Sequence, residues 1–254
     1  MNESQSRFTL ITGASSGIGR ATAVRLSGER ALILHGRDIA RLEQTRGLCA
    51  QPGRHVLWPF DLSNTSGISD SLANLISISG GGGVEVFVHC AGTVGLLPMR
   101  STDFMAMQAV MNVNFLSAAS IVHLLLKKKI NAGGSLANIV FISSIFSSFG
   151  ARGHAAYCAS KAALDGLMRA LAVELAPAIR VNSILPGAVP SPMAAEAFSD
   201  PSIAAKLQKD YPLGTGQTAD IAGAVEFLLS SNSRWMTGQQ LTVDGGRTAN
   251  MSMT

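Results

Sequence analysis

The chain has 254 residues, of which 47% are apolar and 14% charged, with 26 glycines and a formal net charge of +4. That composition is far from the low-hydrophobicity signature of disorder, and the length lets one α/β domain bury a core without disulfide or metal staples. Cys49, Cys90 and Cys158 are an odd number without CxxC spacing, which argues against a disulfide framework or a zinc site and for a reducing cytoplasm.

Basic residues are scattered apart from Lys127, Lys128 and Lys129. At the end of an apolar stretch, such a run fits a helix C-terminus better than a nucleic-acid patch. No signal-peptide h-region follows Met1, and no uninterrupted apolar stretch approaches the ~18 residues of a spanning helix. A soluble, cytoplasmic protein with no membrane or nucleic-acid partner is expected.

In chain order, Phe8–Thr12 reads as a first strand and Gly17–Ser27 as a helix. Ala31–His35 is a second strand, followed by a polar helix from Asp38 to about Leu48. His55–Phe60 is a third strand ending at Asp61, and Ile68–Ser77 is the next helix. The Gly80–Gly83 run is a loop feeding the strand Val84–His89. Asp103–Lys129 carries apolar residues on most faces, as a helix buried among neighbours would. Asn138–Ile142 is a strand, Ala156–Leu175 a helix and Arg180–Leu185 a strand stopped by Pro186-Gly187. Loops and short helices fill Ala188–Thr215, then Ala219–Leu229 is helical and Gln240–Val243 is a last strand. This alternation predicts a single doubly wound domain over residues 1–254, with a mainly parallel seven-stranded sheet and helices on both faces.

Thr12-Gly13-Ala14-Ser15-Ser16-Gly17-Ile18-Gly19 joins the first strand to the first helix. Glycines there permit a tight turn and close approach of backbone to a pyrophosphate, and the helix N-terminus presents unpaired N–H groups to it. The position after a strand and before a helix gives the glycines their meaning.

Tyr157 and Lys161 are four apart on a predicted helix and so share a face. A tyrosine acting as a base near neutrality needs a drop of roughly three pK units, about 4 kcal/mol. An ammonium ~4 Å away supplies on the order of 4 kcal/mol at an effective dielectric near 20. Taken alone, the pair could equally be two residues on a helix surface.

The G-xxx-G-x-G spacing and the Tyr-xxx-Lys pair resemble the short-chain dehydrogenase/reductase family, and the resemblance runs along nearly the whole chain. It is nearest to the 3-oxoacyl carrier-protein reductase branch. The resemblance implies a catalytic set of Ser144, Tyr157, Lys161 and Asn114, in which Ser144 lies thirteen residues before Tyr157 and donates to the substrate carbonyl oxygen. Asn114 would hold a water linking Lys161 to solvent. Ser143 would point elsewhere by strand alternation.

Around the cofactor the resemblance assigns Gly13, Ser15, Ser16, Gly17, Ile18 and Gly19 to the phosphates, and Asp61 and Leu62 to the adenine. Ala91 and Gly92 end the family's Asn-Asn-Ala-Gly segment, with His89 and Cys90 replacing its asparagines. That replacement implies altered packing more than lost chemistry. Pro186, Gly187, Val189 and Ser191 match the segment contacting the nicotinamide carboxamide, and Thr237-Gly238-Gln239 with Val243-Asp244-Gly245-Gly246 completes the resemblance.

An acidic residue at the end of the second strand would select NAD(H). Here that position is Gly36, followed by Arg37, whose guanidinium suits a 2′-phosphate; without that context Arg37 is an exposed loop arginine. NADP(H) is therefore expected over NAD(H), although Ser15 and Ser16 stand where NADP-using relatives often carry a second basic residue. A lid over residues 192–211 would carry Met193, Phe198, Ile203 and Leu207, with Leu96, Phe149 and His154 facing it across the reacting group. The expected substrate is a small ketone or secondary alcohol, or a 3-oxoacyl thioester, and the expected assembly is a homotetramer through the two long helices. A non-catalytic NADP-binding regulator would be free to lose Tyr157 or Lys161. A sugar-nucleotide epimerase or dehydratase is usually longer.

Overall fold

The computed structural model describes residues 7–79, 82–132, 134 and 136–250, and the side chains of all these but 196 and 197. Gly80 and Gly81 of the expected loop, and residues 1–6, lie outside the described residues. The strands are β1 (Phe8–Thr12), β2 (Ala31–Gly36), β3 (Val56–Pro59), β4 (Val84–His89), β5 (Asn138–Ile142), β6 (Arg180–Pro186) and β7 (Gln240–Val243). They form one sheet in the order β3-β2-β1-β4-β5-β6-β7. Every pairing is parallel. All residues of β1, β2 and β5 are buried. Helices on both faces demand this, which is why these strands read as continuous apolar runs rather than alternating ones.

The helices are α1 (Gly17–Leu26), α2 (Ile39–Leu48), α3 (Ile68–Ile78), α4 (Phe104–Met111), α5 (Ser117–Leu125), α6 (Ala155–Glu174), α7 (Ala195–Ser199), α8 (Pro201–Asp210) and α9 (Thr218–Leu229). Asp38 and Asp103 start α2 and α4 by accepting the main-chain N–H of Arg41 and Ala106 at 3.2 and 2.8 Å. One face of the sheet packs Phe87 and Phe141 against Leu72, Ile121, Leu164 and Met168 of α3, α5 and α6. The other packs Ile11, Leu34 and Ile184 against Leu26, Leu42, Val225 and Leu228 of α1, α2 and α9.

The predicted helix Asp103–Lys129 is continuous from Phe104 to Leu125. It is interrupted by a π turn, Asn112–Leu116, between α4 and α5. At 22 residues and a mean hydropathy of 1.4 it has the length and composition of a membrane span. No uninterrupted apolar run was expected, and none is present here: glutamine, asparagines and serines break it without adding a charge. In this fold the helix packs against α3 and α6, burying Val110, Asn114, Ala118, Ile121 and Leu125. After it, buried Asn131 closes the turn onto β4. Its Oδ1 accepts from Val84 N at 2.7 Å, and its Nδ2 donates to Val84 O at 2.9 Å and Leu125 O at 3.2 Å.

Strand order reverses between β1 and β4, and the crevice beyond their C-terminal ends is where open α/β sheets bind ligands. The glycine turn after β1 and the segment after β4 meet there.

Candidate active site

Gly13 leaves β1 at φ +68°, and a Cβ there would lie 2.9 Å from Ala91 Cα and N. Only glycine lets the turn lie against the end of β4. A Cβ on Gly19 would run into the carbonyl of Gly13. The turn is anchored to β2 by Ala14 N donating to His35 O at 2.8 Å and Gly13 N to His35 Nδ1 at 3.4 Å. His35 Nε2 lies 3.1 Å from Phe60 O. Burial pushes His35 down to about 4, against the pull of that carbonyl, so it is neutral. Arg20 adds a second anchor, donating to Ser15 O at 2.6 Å and Thr45 Oγ1 at 3.0 Å. Sequence reasoning missed His35, Arg20 and Thr45, because nothing local marks them.

Ser16 precedes α1 in extended conformation, and its side chain makes no cap bond. The first N–H groups of α1 are thus left without a side-chain cap, an arrangement suited to an anion. A Cβ at Gly17 would lie 3.2 Å from Ser191 Cβ, so the segment following Gly187 lies against the turn.

At the end of β2, a Cβ on Gly36 would lie 3.0 Å from Ser15 Cβ and 3.1 Å from Ser15 Oγ. An acidic side chain there would displace Ser15. Arg37 is exposed and, among the described residues, makes no hydrogen bond or ion pair. Asp61 is held below the usual carboxylate range by the Ser63 N–H, with Arg37 contributing. Leu62 is buried in the core, so only its main chain is available to a ligand.

Ser144 follows β5, and α6 carries Tyr157 and Lys161; all three are buried. Lys161 Nζ donates to Ile142 O at 2.8 Å and lies 5.7 Å from the centre of the Tyr157 ring. Burial lowers Lys161 to about 8, with Asp165 and Cys90 opposing the shift. Burial raises the Tyr157 phenol, partly offset by the Ser144 hydroxyl beside it. The sequence argument expected the lysine to pull the phenol down; in the ligand-free site burial outweighs such a pull, and the ammonium donates to the Ile142 carbonyl. Ser143 does point elsewhere, toward Lys161 O at 3.4 Å.

Asn114 sits in the π turn and is fully buried. Its Oδ1 accepts from Thr93 N at 2.7 Å; its Nδ2 donates to Thr93 O and Ser160 Oγ, both at 2.9 Å. Both amide protons are spent on protein partners, so the side chain holds the wall of the site rather than standing open. A methyl group at Gly92 would lie 3.4 Å from Asn114 Oδ1, 3.5 Å from Met193 Cε and 3.6 Å from Lys161 Nζ. Gly92 is therefore where Asn114, Lys161 and Met193 approach one point.

Pro186 ends β6, and Gly187 N donates to Val243 O at 3.0 Å. Tyr211, which sequence reasoning treated as the end of a lid, is buried, and its hydroxyl accepts from Ala188 N at 3.0 Å. Val189 is buried in the core. Over the expected lid, Pro192–Ala194 form a single turn followed by α7 and α8, with Met193 and Ile203 exposed. Leu96 and Phe149 are exposed, while His154 packs edge-on to Phe146 at 5.1 Å and Tyr157 at 6.3 Å between ring centres.

Residues 13–248 match the family model described as Enoyl-(Acyl carrier protein) reductase. The D-erythrulose reductase of Gallus gallus is 35% identical, over 94% of this chain and 95% of that protein. The 3-oxoacyl-[acyl-carrier-protein] reductase FabG of Thermotoga maritima is 30% identical, over 95% of this chain and 98% of that protein. Among solved structures, a 4-hydroxyisoleucine dehydrogenase mutant complexed with NADH and succinate superposes with a TM-score of 0.87. It is 26% identical, over 97% of this chain and 100% of that one. The chain belongs to the short-chain dehydrogenase/reductase family. It is an oxidoreductase on a Rossmann-type fold.

Proposed function

We propose that this enzyme transfers a hydride between NADP(H) and a ketone or secondary alcohol, with Ser144, Tyr157, Lys161 and Asn114 as its catalytic set. The observation that carries the reading is the meeting of Lys161, Asn114 and Met193 at Gly92, with the protonated Tyr157 and Ser144 alongside.

The residues fit a dinucleotide. The glycine turn, the Ser16 hydroxyl and the N-terminus of α1 would hold the pyrophosphate, and Ser15 and Arg37 the 2′-phosphate. Main-chain groups at Asp61 and Leu62, Ala91 and Gly92, and Pro186 to Ser191 would line the rest. When bound, the nicotinamide supplies the hydride. Ser144 donates a hydrogen bond to the substrate oxygen, and Tyr157 delivers the proton to it in reduction. The Lys161 ammonium, 5.7 Å from the centre of the ring, favours the phenolate so formed.

Both named relatives are reductases, of D-erythrulose and of a 3-oxoacyl carrier protein. This supports a ketone as the reacting group, with hydroxyketones and 3-oxoacyl thioesters as the two classes to assay. The exposed apolar Phe104 and Met105 of α4 support assembly as a homotetramer through the long helices; a monomer mass by light scattering would count against it. The deciding experiment follows NADPH oxidation against both substrate classes, with Tyr157→Phe alongside. Turnover that collapses in the variant supports the reading. Tight NADPH binding with no turnover across the panel removes it in favour of a regulatory role.

A further inference from the structure

His89 ends β4 and its imidazole is fully buried, yet no step above uses it. Its Nδ1 lies 2.9 Å from Thr12 Oγ1. That hydroxyl already accepts the main-chain N–H groups of Cys90 and Ala91, each at 3.2 Å. A hydroxyl has one proton and two acceptor lone pairs. With both lone pairs engaged, its proton must point at Nδ1, which is therefore bare. The hydrogen of the neutral ring is then on Nε2.

Nε2 makes no hydrogen bond of ordinary geometry among the described residues. The main-chain carbonyls of Val113 and Asn114 bear on the ring. Both belong to the π turn, where Ser117 N reaches back to Asn112 O. Val113 O takes the Ser117 hydroxyl at 2.7 Å, outside the regular ladder. A π turn displaces carbonyls from the regular ladder, and a buried N–H needs an acceptor, so the carbonyls of this turn are suited to face the ring.

We propose that His89 is a positioning residue, an imidazole held as the Nε2–H tautomer by Thr12, which ties the π turn bearing Asn114 to the strand end bearing Ala91 and Gly92. It keeps the two walls of the catalytic crevice in register. Burial opposes a second proton on the ring, as does the charge of Lys161 on α6. The kinetic arm of the test rests on the catalytic reading of Asn114; the spectroscopic arm does not.

The spectroscopic arm uses the full chain labelled with ¹⁵N-histidine and long-range ¹H–¹⁵N correlation across neutral pH, with His89→Asn identifying the ring by its missing signals. The expected result is an Nε2–H pattern that does not titrate; an Nδ1–H pattern, or titration near neutrality, overturns the proposal. In the kinetic arm, His89→Leu lowers kcat about tenfold or more, the loss expected from unpairing buried polar groups, while KM for NADPH stays within about twofold. His89→Asn restores kcat, because its amide oxygen and NH₂ replace both roles of the ring. Wild-type kcat in the leucine variant, or a loss that asparagine leaves unrepaired, overturns it. Absence of reductase activity in the wild type removes the catalytic reading alone, and the tautomer pattern still decides the case of His89.

Discussion

Lys161→Met removes a buried ammonium while keeping the length of the side chain, and its effect on stability is expected to depend on pH. The folded chain holds Lys161 at about 8 against an ordinary 10.5, because burial penalises the charged form. The unfolded chain therefore binds the proton more tightly than the folded one. This penalty on folding is fully present below about pH 8 and is relieved as pH climbs to the unfolded value. Between about pH 7 and about pH 10 the wild type should gain about 2–3 kcal/mol relative to the methionine variant. The lost hydrogen bond to Ile142 O and the lost partner of Asp165 lower the variant's stability at both pH values and largely cancel in the comparison. Urea denaturation of both proteins at the two pH values reads the difference directly. A stability difference that stays constant across that range would refute a burial-lowered ammonium. The same protonation predicts that kcat/KM for carbonyl reduction falls as pH rises through about 8.

Tyr157→Phe should lower kcat by about 10²–10⁴-fold while leaving NADPH binding intact, since it removes one proton donor and little volume; fluorescence titration with NADPH separates the two effects. Arg37→Ser should weaken NADPH binding by about tenfold or more and leave NADH binding unchanged, the loss expected of one charge-assisted bond. Equal losses for both cofactors in calorimetry would sink that assignment. Asn131→Ala strands both main-chain groups of Val84 and should cost about 2–4 kcal/mol in urea unfolding, with activity per folded molecule retained.

Most of the fold was legible because the strands announce themselves as short apolar runs between helical periods. The third strand is shorter than expected: His55 leaves it to bridge Leu32 N at 3.2 Å and Ala50 O at 2.8 Å. The π turn could not be read, because its sequence carries an ordinary helical pattern and the interruption is a matter of hydrogen-bond register. Tyr157 and Lys161 were legible as a pair because i and i+4 share a helix face whatever the surroundings. Their protonation was not, because it depends on what buries them.

Local order along the chain thus determined the element sequence, the tight glycine turn before α1 and the pairing of tyrosine with lysine. Each is set by residues within a turn or two of one another. Tertiary structure alone decided that Lys161 bonds Ile142, that Asn114 is spent on Thr93 and Ser160, and that His89 meets Thr12 across the sheet. These partners are distant in sequence, and burial turns their meeting into chemistry, since a buried polar group must find its complement or lose its charge.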